Sequence, residues 1–252
     1  MAASQNLTPN PVRHKGWVKL SHWIVTLSFF ALLLSGFVIL MCHPRLYWGE
    51  VGNDLTPALI ELPVSRNYQH GGWKEGEPFF NATGSPISAS RTYEIYNQNG
   101  WGRSLHFLAA WILTLTGMGY VFAAMFGGHV RKHLWPAPPE FTRQLVWRDL
   151  VTHVRMNRTL AAKGPQYGVL QKITYLLVIF FLLPVTIMTG LAMSPAITAA
   201  YPFLTKMFFG AQSARTIHFF TSVALVLFLV VHIAMVIRSG FRKQMSAMTF
   251  GK

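Results

Sequence analysis

The sequence predicts an all-α integral membrane protein, a bundle of four transmembrane helices in a single domain spanning residues 1–252. Hydrophobic residues make up 52% of the chain and charged residues only 12%, and the mean hydropathy is +0.33. Four apolar stretches, at about 23–42, 105–126, 170–193 and 217–237, each approach the roughly 20 residues that a helix needs to cross a bilayer. We therefore expect a lipid bilayer to surround most of the chain.

The first stretch begins at Trp23 and follows a polar N-terminal segment. No small-residue cleavage site follows it, so we expect a retained membrane anchor rather than a removed signal peptide.

A long connection, roughly residues 43–104, separates the first two stretches. Connections of this length usually have a function of their own. Its many aromatic residues favour docking of a partner protein or a cap over the bundle. An aromatic belt at the membrane interface is an equally good explanation. These aromatic residues are Tyr47, Trp48, Trp73, Phe79, Phe80, Tyr93, Tyr96 and Trp101.

The third and fourth stretches each contain a feature that bears on the architecture. Pro184 should kink the third helix, because proline frees a carbonyl that neighbouring groups must satisfy. The fourth stretch contains His218 and His232. Fourteen residues are close to four helical turns, so both histidines lie on one stripe, about 21 Å apart along the axis.

Two further histidines begin apolar stretches at matching depths. His22 starts the first stretch at the same end of the bundle as His232, and His106 starts the second at the end where His218 lies. This arrangement predicts two pairs between helices, His22 with His232 and His106 with His218. Ionisable groups inside a membrane are costly and usually functional, although any one of these histidines alone is more often structural.

The histidine pairs predict two haem seats. An imidazole can bind iron, and three of the histidines follow a basic residue by three positions, namely Lys19, Arg103 and Arg215. A cation at this spacing shares the helix face of its histidine and could pair with a haem propionate. Because Cys42 is the single cysteine, thioether-linked haem, a disulfide framework and cysteine-ligated iron–sulfur clusters are excluded. Any haem should therefore be haem b, and we recognise no catalytic motif.

Glycines are expected to let the haems lie close to the helices. Gly36 follows His22 by fourteen residues and should face the second haem. Gly117, Gly119 and Gly190 are further candidates, although small residues also serve plain helix packing.

Basic residues predict the orientation in the membrane. Of the 22 Lys and Arg residues, 15 lie on the side that holds both termini, with only Glu140 and Asp149 among the acids. The other side has seven, balanced by six acidic residues. The positive-inside rule makes the first side cytoplasmic and the long first loop periplasmic, in a bacterial inner membrane. The net charge of +14 is thus a topology signal, and we expect no nucleic-acid partner.

Short motifs along nearly the whole chain resemble a known family. They lie at residues 20–23 (LSHW), 43–49 (HPRLYWG), 102–107 (GRSLHF), 167–172 (YGVLQK), 189–195 (TGLAMSP) and 213–219 (SARTIHF). Together they resemble the cytochrome b subunits of the bacterial b561 and nickel–iron hydrogenase type. Within that group the chain looks closest to the thiosulfate-reductase-type cytochrome b, and it is similar to the gamma subunit of formate dehydrogenase.

The resemblance implies a dihaem bundle that exchanges electrons with membrane quinone and with a periplasmic redox subunit, often of the molybdopterin type. In the formate dehydrogenase relative, the segment before the third helix helps to form the quinone site and contains an asparagine where this chain has Gly168. The resemblance leaves Tyr167, Gln171 and Lys172 as quinone-site candidates and one quinone hydrogen bond unassigned.

Three other histidines compete as ligands. His129 and His133 lie four residues apart beyond the second stretch, in a cationic segment that favours an interfacial position. His43 is a rival at the outer end.

We expect a membrane subunit that oxidises quinol near the cytoplasmic haem and sends electrons outward, with the reverse flow left open. One alternative is a stand-alone quinone-linked superoxide oxidase or ferric reductase. Another is a haem-free transporter that relays protons through its histidines. Co-purification of a periplasmic subunit and a visible spectrum distinguish these three functions.

Overall fold

The computed structural model describes residues 15–53, 55–65, 68–71, 99–127 and 169–249. Within these ranges, four helices are long and apolar enough to cross a membrane. The first is Gly16–Cys42, the second Asn99–Phe126, the third runs through Gln171–Ala192, and the fourth is Ala211–Arg238. Large apolar side chains such as Leu27, Leu115 and Val230 are exposed along these helices. Such an outward apolar surface is stable in lipid and costly in water.

Three of the spanning helices begin earlier than their apolar stretches. The first, second and fourth start at Gly16, Asn99 and Ala211, whereas the stretches begin at about 23, 105 and 217. Hydropathy marks only the hydrocarbon-facing turns, but backbone hydrogen bonding continues into the polar interface. The basic residues and the histidines therefore lie on continuous helix and not at its entrance.

The third spanning helix has a π-helical turn next to Pro184, where the sequence predicts a kink. Helix Val169–Leu177 passes through a π-helical turn, Val178–Leu182, into helix Leu183–Ala192, which has a proline in its first turn. The N–H of Leu183 donates to the carbonyl of Val178, five residues earlier. The wider turn shifts the hydrogen-bond pattern just before a residue that has no N–H to donate.

The described part of the first loop folds onto the end of the bundle where the fourth spanning helix begins. Strand β1, Arg45–Leu46, pairs antiparallel with strand β2, Ile60–Glu61. Leu46 and Val38 are each only 1% exposed, so the hairpin is packed and not a loose connection. This part of the loop acts as a cap.

Short helices complete both ends. Pro195–Ala200 and Phe203–Met207 lie between the third and fourth spanning helices. There, Leu204 packs with Ala192 and Ala214 in a small buried core. At the opposite end, helix Phe241–Met248 lies against the first spanning helix, where the indole N–H of Trp23 donates to the carbonyl of Met248 at 2.9 Å.

The spanning helices pack as two sequential pairs, the first with the second and the third with the fourth. A small residue permits close approach in the first pair, since a Cβ at Gly102 would be 3.1 Å from Val38 Cγ1. This pairing determines which helix lies beside each histidine.

Candidate functional site

The structure brings the four histidines together in two pairs. The ring centroids of His106 and His218 are 6.3 Å apart, with 60° between the ring planes. Those of His22 and His232 are 6.5 Å apart, with 48° between the planes. The fourth spanning helix contributes one histidine to each pair, so the two pairs lie at different depths of the bundle.

These separations suit a metal ion between two imidazoles. Rings that bind one ion from opposite sides, each through a nitrogen about 2 Å away, have centroids roughly 6 Å apart. Within the described ranges, no group of three or more His, Cys, Asp or Glu residues lies close enough to hold a metal ion. Each pair would thus offer two imidazole nitrogens, which fits a haem iron, because the porphyrin supplies the other four nitrogen ligands.

The pair His106 and His218, which we call the outer pair, is held by hydrogen bonds at Nδ1. Nδ1 of His218 lies 3.0 Å from the carbonyl oxygen of Thr186 and 3.1 Å from the hydroxyl of Thr189. Nδ1 of His106 lies 3.0 Å from the hydroxyl of Ser35. Bonds of this kind leave Nε2 as the nitrogen available to a ligand.

Two glycines lie against the same rings. A Cβ at Gly36 would be 3.6 Å from Cε1 of His106, and one at Gly190 would be 3.5 Å from Cε1 of His218. Gly36, expected to face the second haem, therefore lies directly beside a histidine of the outer pair. A Cβ at Gly117 or Gly119 would meet no described atom within 4 Å.

One aromatic ring contacts each histidine of the pair His22 and His232, which we call the inner pair. Phe228 stacks on His232 with centroids 5.9 Å apart and 26° between the planes, and Trp23 meets His22 edge to face at 5.4 Å. Tyr175 of the third spanning helix meets Phe228 edge to face at 6.3 Å. An aromatic path thus connects the third helix with this pair.

Gln171 and Lys172 lie at the start of that third helix. The amide of Gln171 donates to the hydroxyl of Tyr175 at 2.8 Å. Lys172 is buried, at 9% exposure. Tyr167, the third quinone-site candidate, lies outside the described residues, as do His129 and His133.

The three basic residues before the histidines have different surroundings. Lys19 Nζ donates to the carbonyl of Thr249 at 3.1 Å. Arg215 is partly buried and donates to the side-chain oxygen of Gln212 at 3.0 Å. Arg103 is exposed. The first of these contacts brings the C-terminal segment to the helix that carries His22, a contact that no local sequence pattern indicates.

A short segment of the first loop caps the fourth spanning helix above His218. The carbonyl of Gly49 accepts from the backbone N–H groups of Gln212 and Ser213, and the carboxylate of Glu50 accepts from the N–H of Ala211 at 3.3 Å. These are N–H groups of the first helical turn, which have no partner within the helix. A carboxylate is favourable at this positive end of the helix dipole.

Side-chain hydrogen bonds also join the cap to the fourth spanning helix. The hydroxyl of Thr216 donates to the carbonyl of Tyr47 at 2.6 Å, and Ser213 accepts from the N–H of Gly49. Trp48 stacks on Phe209 with centroids 6.1 Å apart. The aromatic residues of this segment are evident in the sequence, but their contact with the fourth helix depends on the fold.

The remaining described histidines, His43 and His70, lie at the protein surface. His43 is exposed and its backbone N–H ends the first spanning helix by donating to the carbonyls of Ile39 and Leu40. His70 Nδ1 lies 2.7 Å from the carboxylate of Glu61. Burial raises the pKa of Glu61, but hydrogen bonds from His70 outweigh it and bring the pKa below its ordinary value.

Comparison with known proteins adds two findings. The family model described as prokaryotic cytochrome b561 matches residues 13–251. A putative protein-methionine-sulfoxide reductase subunit, YedZ1 of Azospira oryzae, is 24% identical over 223 residues, which cover 88% of this chain and 89% of that protein. No solved structure matches the chain.

Proposed function

The chain belongs to the prokaryotic cytochrome b561 family, and from this premise we propose that it carries electrons through two haem b groups between membrane quinone and a periplasmic redox protein. Family membership makes it an integral membrane electron-transfer protein that binds haem b. The number of haems, the quinone and the partner are the proposed parts.

The observation that carries the proposal is that two imidazole pairs lie at different depths of the bundle, each with one histidine from the fourth spanning helix. His106 and His218 would hold the outer haem, and His22 and His232 the inner one, since both centroid distances suit a shared iron. Haem supplies one-electron redox chemistry when bound. The chain would contribute the imidazole nitrogens that hold each haem, the orientation of each ring and the apolar surroundings.

Basic side chains would neutralise the haem propionates. Arg103 and Arg215 are one helical turn before the outer histidines, and Lys19 is one turn before His22. Each therefore lies on the helix face of its histidine and nearer the interface. The bond from Lys19 to Thr249 places the C-terminal segment beside the inner seat.

We place quinone exchange at the cytoplasmic rim, beside the inner pair. Gln171 and Lys172 offer polar groups there, and Tyr167 extends the set by family resemblance. The bond from Gln171 to Tyr175 and the contact of Tyr175 with Phe228 support this location, because Phe228 stacks on His232. A quinone head at this rim would meet hydrogen-bond donors and an inner-haem edge together.

The partner would be a periplasmic redox subunit, of the molybdopterin type or another. The similarity to a protein named as a subunit of a methionine sulfoxide reductase supports a role within a reductase complex. In this role the chain oxidises quinol and sends electrons outward. The positive-inside rule supports the orientation, with both termini cytoplasmic and the capped end periplasmic.

Purification in mild detergent tests the proposal. We expect a dithionite-reduced spectrum of low-spin haem b and two haems per chain. A periplasmic redox protein should co-purify when both are expressed together. A fully loaded protein with one haem would refute the dihaem assignment. Two haems with reduction of superoxide or ferric ions by the isolated chain, and no partner, would favour the stand-alone enzyme instead.

A further inference from the structure

The two outer histidines share the same support, although they come from different helix pairs. In each case the preceding spanning helix supplies a hydroxyl residue followed by glycine, Ser35-Gly36 for His106 and Thr189-Gly190 for His218. The supporting hydroxyl precedes its histidine by 71 residues in one case and 29 in the other. Sequence spacing therefore hides an equivalence that the structure reveals.

The hydroxyl groups of Ser35 and Thr189 already donate their single proton to backbone carbonyls of their own helices. Ser35 Oγ donates to the carbonyl of Ala31 at 2.7 Å, and Thr189 Oγ1 donates to that of Val185 at 2.8 Å. A hydroxyl has one proton, so each oxygen can only accept from the facing imidazole. Both histidines must then present an N–H at Nδ1.

For His218 the backbone requires the same tautomer. Nδ1 of His218 lies 3.0 Å from the carbonyl oxygen of Thr186, which has no proton to give. For His106 the hydroxyl of Ser35 alone sets the tautomer. With Nδ1 protonated, Nε2 of both rings keeps the lone pair that binds a metal.

The glycines set how close each ring lies to the supporting helix. A Cβ at either position would lie 3.5 to 3.6 Å from Cε1 of the ring, which is ordinary contact. A methyl group would fit, but a branched side chain would occupy the place of the imidazole. The glycine therefore permits the approach that brings the hydroxyl within bonding distance of Nδ1.

We infer that Ser35-Gly36 and Thr189-Gly190 are two equivalent positioning units that set the tautomer, orientation and basicity of the outer histidine pair. The inference rests on the proposed haem ligation by His106 and His218. A ligating imidazole that donates its other N–H to an acceptor is a stronger electron donor to the metal. The units therefore hold the midpoint potential of the outer haem below the value that the same two histidines would give without them.

The test uses hydroxyl-deleting variants of the full-length, haem-loaded protein. Thr189→Val and Ser35→Ala should each raise the midpoint potential of the outer haem in a redox titration and leave that of the inner haem unchanged. The low-spin EPR signal of the outer haem, which reports the angle between its imidazole planes, should shift as well. Thr189→Ser restores the acceptor and should give wild-type values.

Matched controls remove hydroxyls that lie away from the rings. The hydroxyl of Thr198 donates to the carbonyl of Ser194 at 3.0 Å, and that of Ser104 to Gly100 at 3.2 Å. Thr198→Val and Ser104→Ala should leave both midpoints and both EPR signals as in the wild type. A shift in these controls equal to that of Thr189→Val would mean a general loosening of the outer end and would overturn the inference.

The haem content of glycine variants provides a second, independent test. Gly190→Ala should retain two haems per chain, whereas Gly190→Leu should lose the outer haem. Gly36→Ala and Gly36→Leu should behave in the same way, because their distances match.

The possible failures are distinguishable. If the wild type has no outer haem, the proposed function fails. If it has both haems and Thr189→Val matches it in midpoint and EPR signal, the positioning inference fails and the haem assignment stands.

Discussion

Among single residues, His218 has the most constrained ring. Its Nδ1 lies within bonding distance of two oxygens of the third helix, its edge lies against Gly190, and its ring faces His106 at 6.3 Å. A ring held on three sides has few alternative rotamers, so little conformational entropy remains to be lost when it binds a ligand.

Replacing His218 by alanine should remove the outer haem and leave most of the inner one. The inner pair uses His22 of the first helix and His232, which lies about four helical turns from His218 along the fourth helix. The pigment-to-protein ratio of the purified variant should fall to about half of the wild-type value, with one remaining midpoint. Loss of both haems with unchanged thermal stability would contradict the assignment of separate seats.

The arginines before the outer histidines should differ in their electrostatic effect. Arg215 is partly buried and ordered by Gln212, whereas Arg103 is exposed, where solvent and salt screen its charge. Replacing either by glutamine should lower the outer midpoint, because an uncompensated propionate favours the oxidised, more positive iron. We expect the larger decrease for Arg215→Gln.

Redox titration at two salt concentrations checks this difference. The effect of Arg103→Gln should shrink at high salt, while that of Arg215→Gln should persist. If both midpoints stay unmoved in both variants, the arginines serve topology or docking instead.

Among the structural elements, the cap on the fourth helix depends on a glycine. Gly210 has φ of 118°, which L-residues with a side chain rarely adopt, and a Cβ there would collide with the backbone of Gly49 and Glu50. The cap and the helix start can approach only because this Cβ is missing. The approach fixes the end of the helix from which His218 projects.

We expect Gly210→Ala to destabilise the protein by more than the roughly 1–3 kcal/mol of backbone strain alone, because the collision adds to it. Gly240→Ala is the matched control, since Gly240 has φ of 102° but a Cβ there would come no closer than 3.9 Å to Lys243. Thermal denaturation in detergent should show a lower Tm for Gly210→Ala than for Gly240→Ala. Equal Tm values would mean that the cap adapts without cost.

The start of the third helix should govern quinone chemistry. Gln171→Leu removes the amide that bonds to Tyr175, so haem reduction by a quinol analogue should slow by roughly tenfold, the effect of about 1.4 kcal/mol on a barrier. Both haems should remain bound and spectrally normal. Stopped-flow reduction rates measure the effect, with dithionite reduction as the control for haem integrity. A wild-type rate with quinol would place the site elsewhere.

At the scale of the whole molecule, orientation in the membrane can be tested with single cysteines. The natural Cys42 is buried, at 2% exposure, so it should react little. Val51 is 75% exposed in the cap, and Lys243 is exposed in the terminal helix. Val51→Cys should be labelled by a membrane-impermeant maleimide in intact spheroplasts, and Lys243→Cys only after the membrane is opened. The reverse pattern would invert the topology.

Much of this architecture can be predicted from the sequence, because it depends on hydropathy and on the helical repeat. Hydropathy located the four spanning helices, and the helical repeat placed His218 and His232 on one stripe. The expected pairs, His22 with His232 and His106 with His218, follow from depth alone, which chain position sets in a membrane bundle. The lone cysteine limited the haem chemistry for a similar reason, since composition needs no fold.

Only the tertiary structure decided which atoms hold the histidines. Ser35 and Thr189 read as ordinary helix residues, and their contact with the rings depends on how neighbouring helices are rotated and how closely they approach. The contacts of Lys19 with the C-terminal segment and of Gly49 with the fourth helix likewise join distant parts of the chain. Local periodicity encodes depth and face, but hydrogen bonds between helices require relative positions within tenths of an ångström, and only the packing of the assembled bundle determines those.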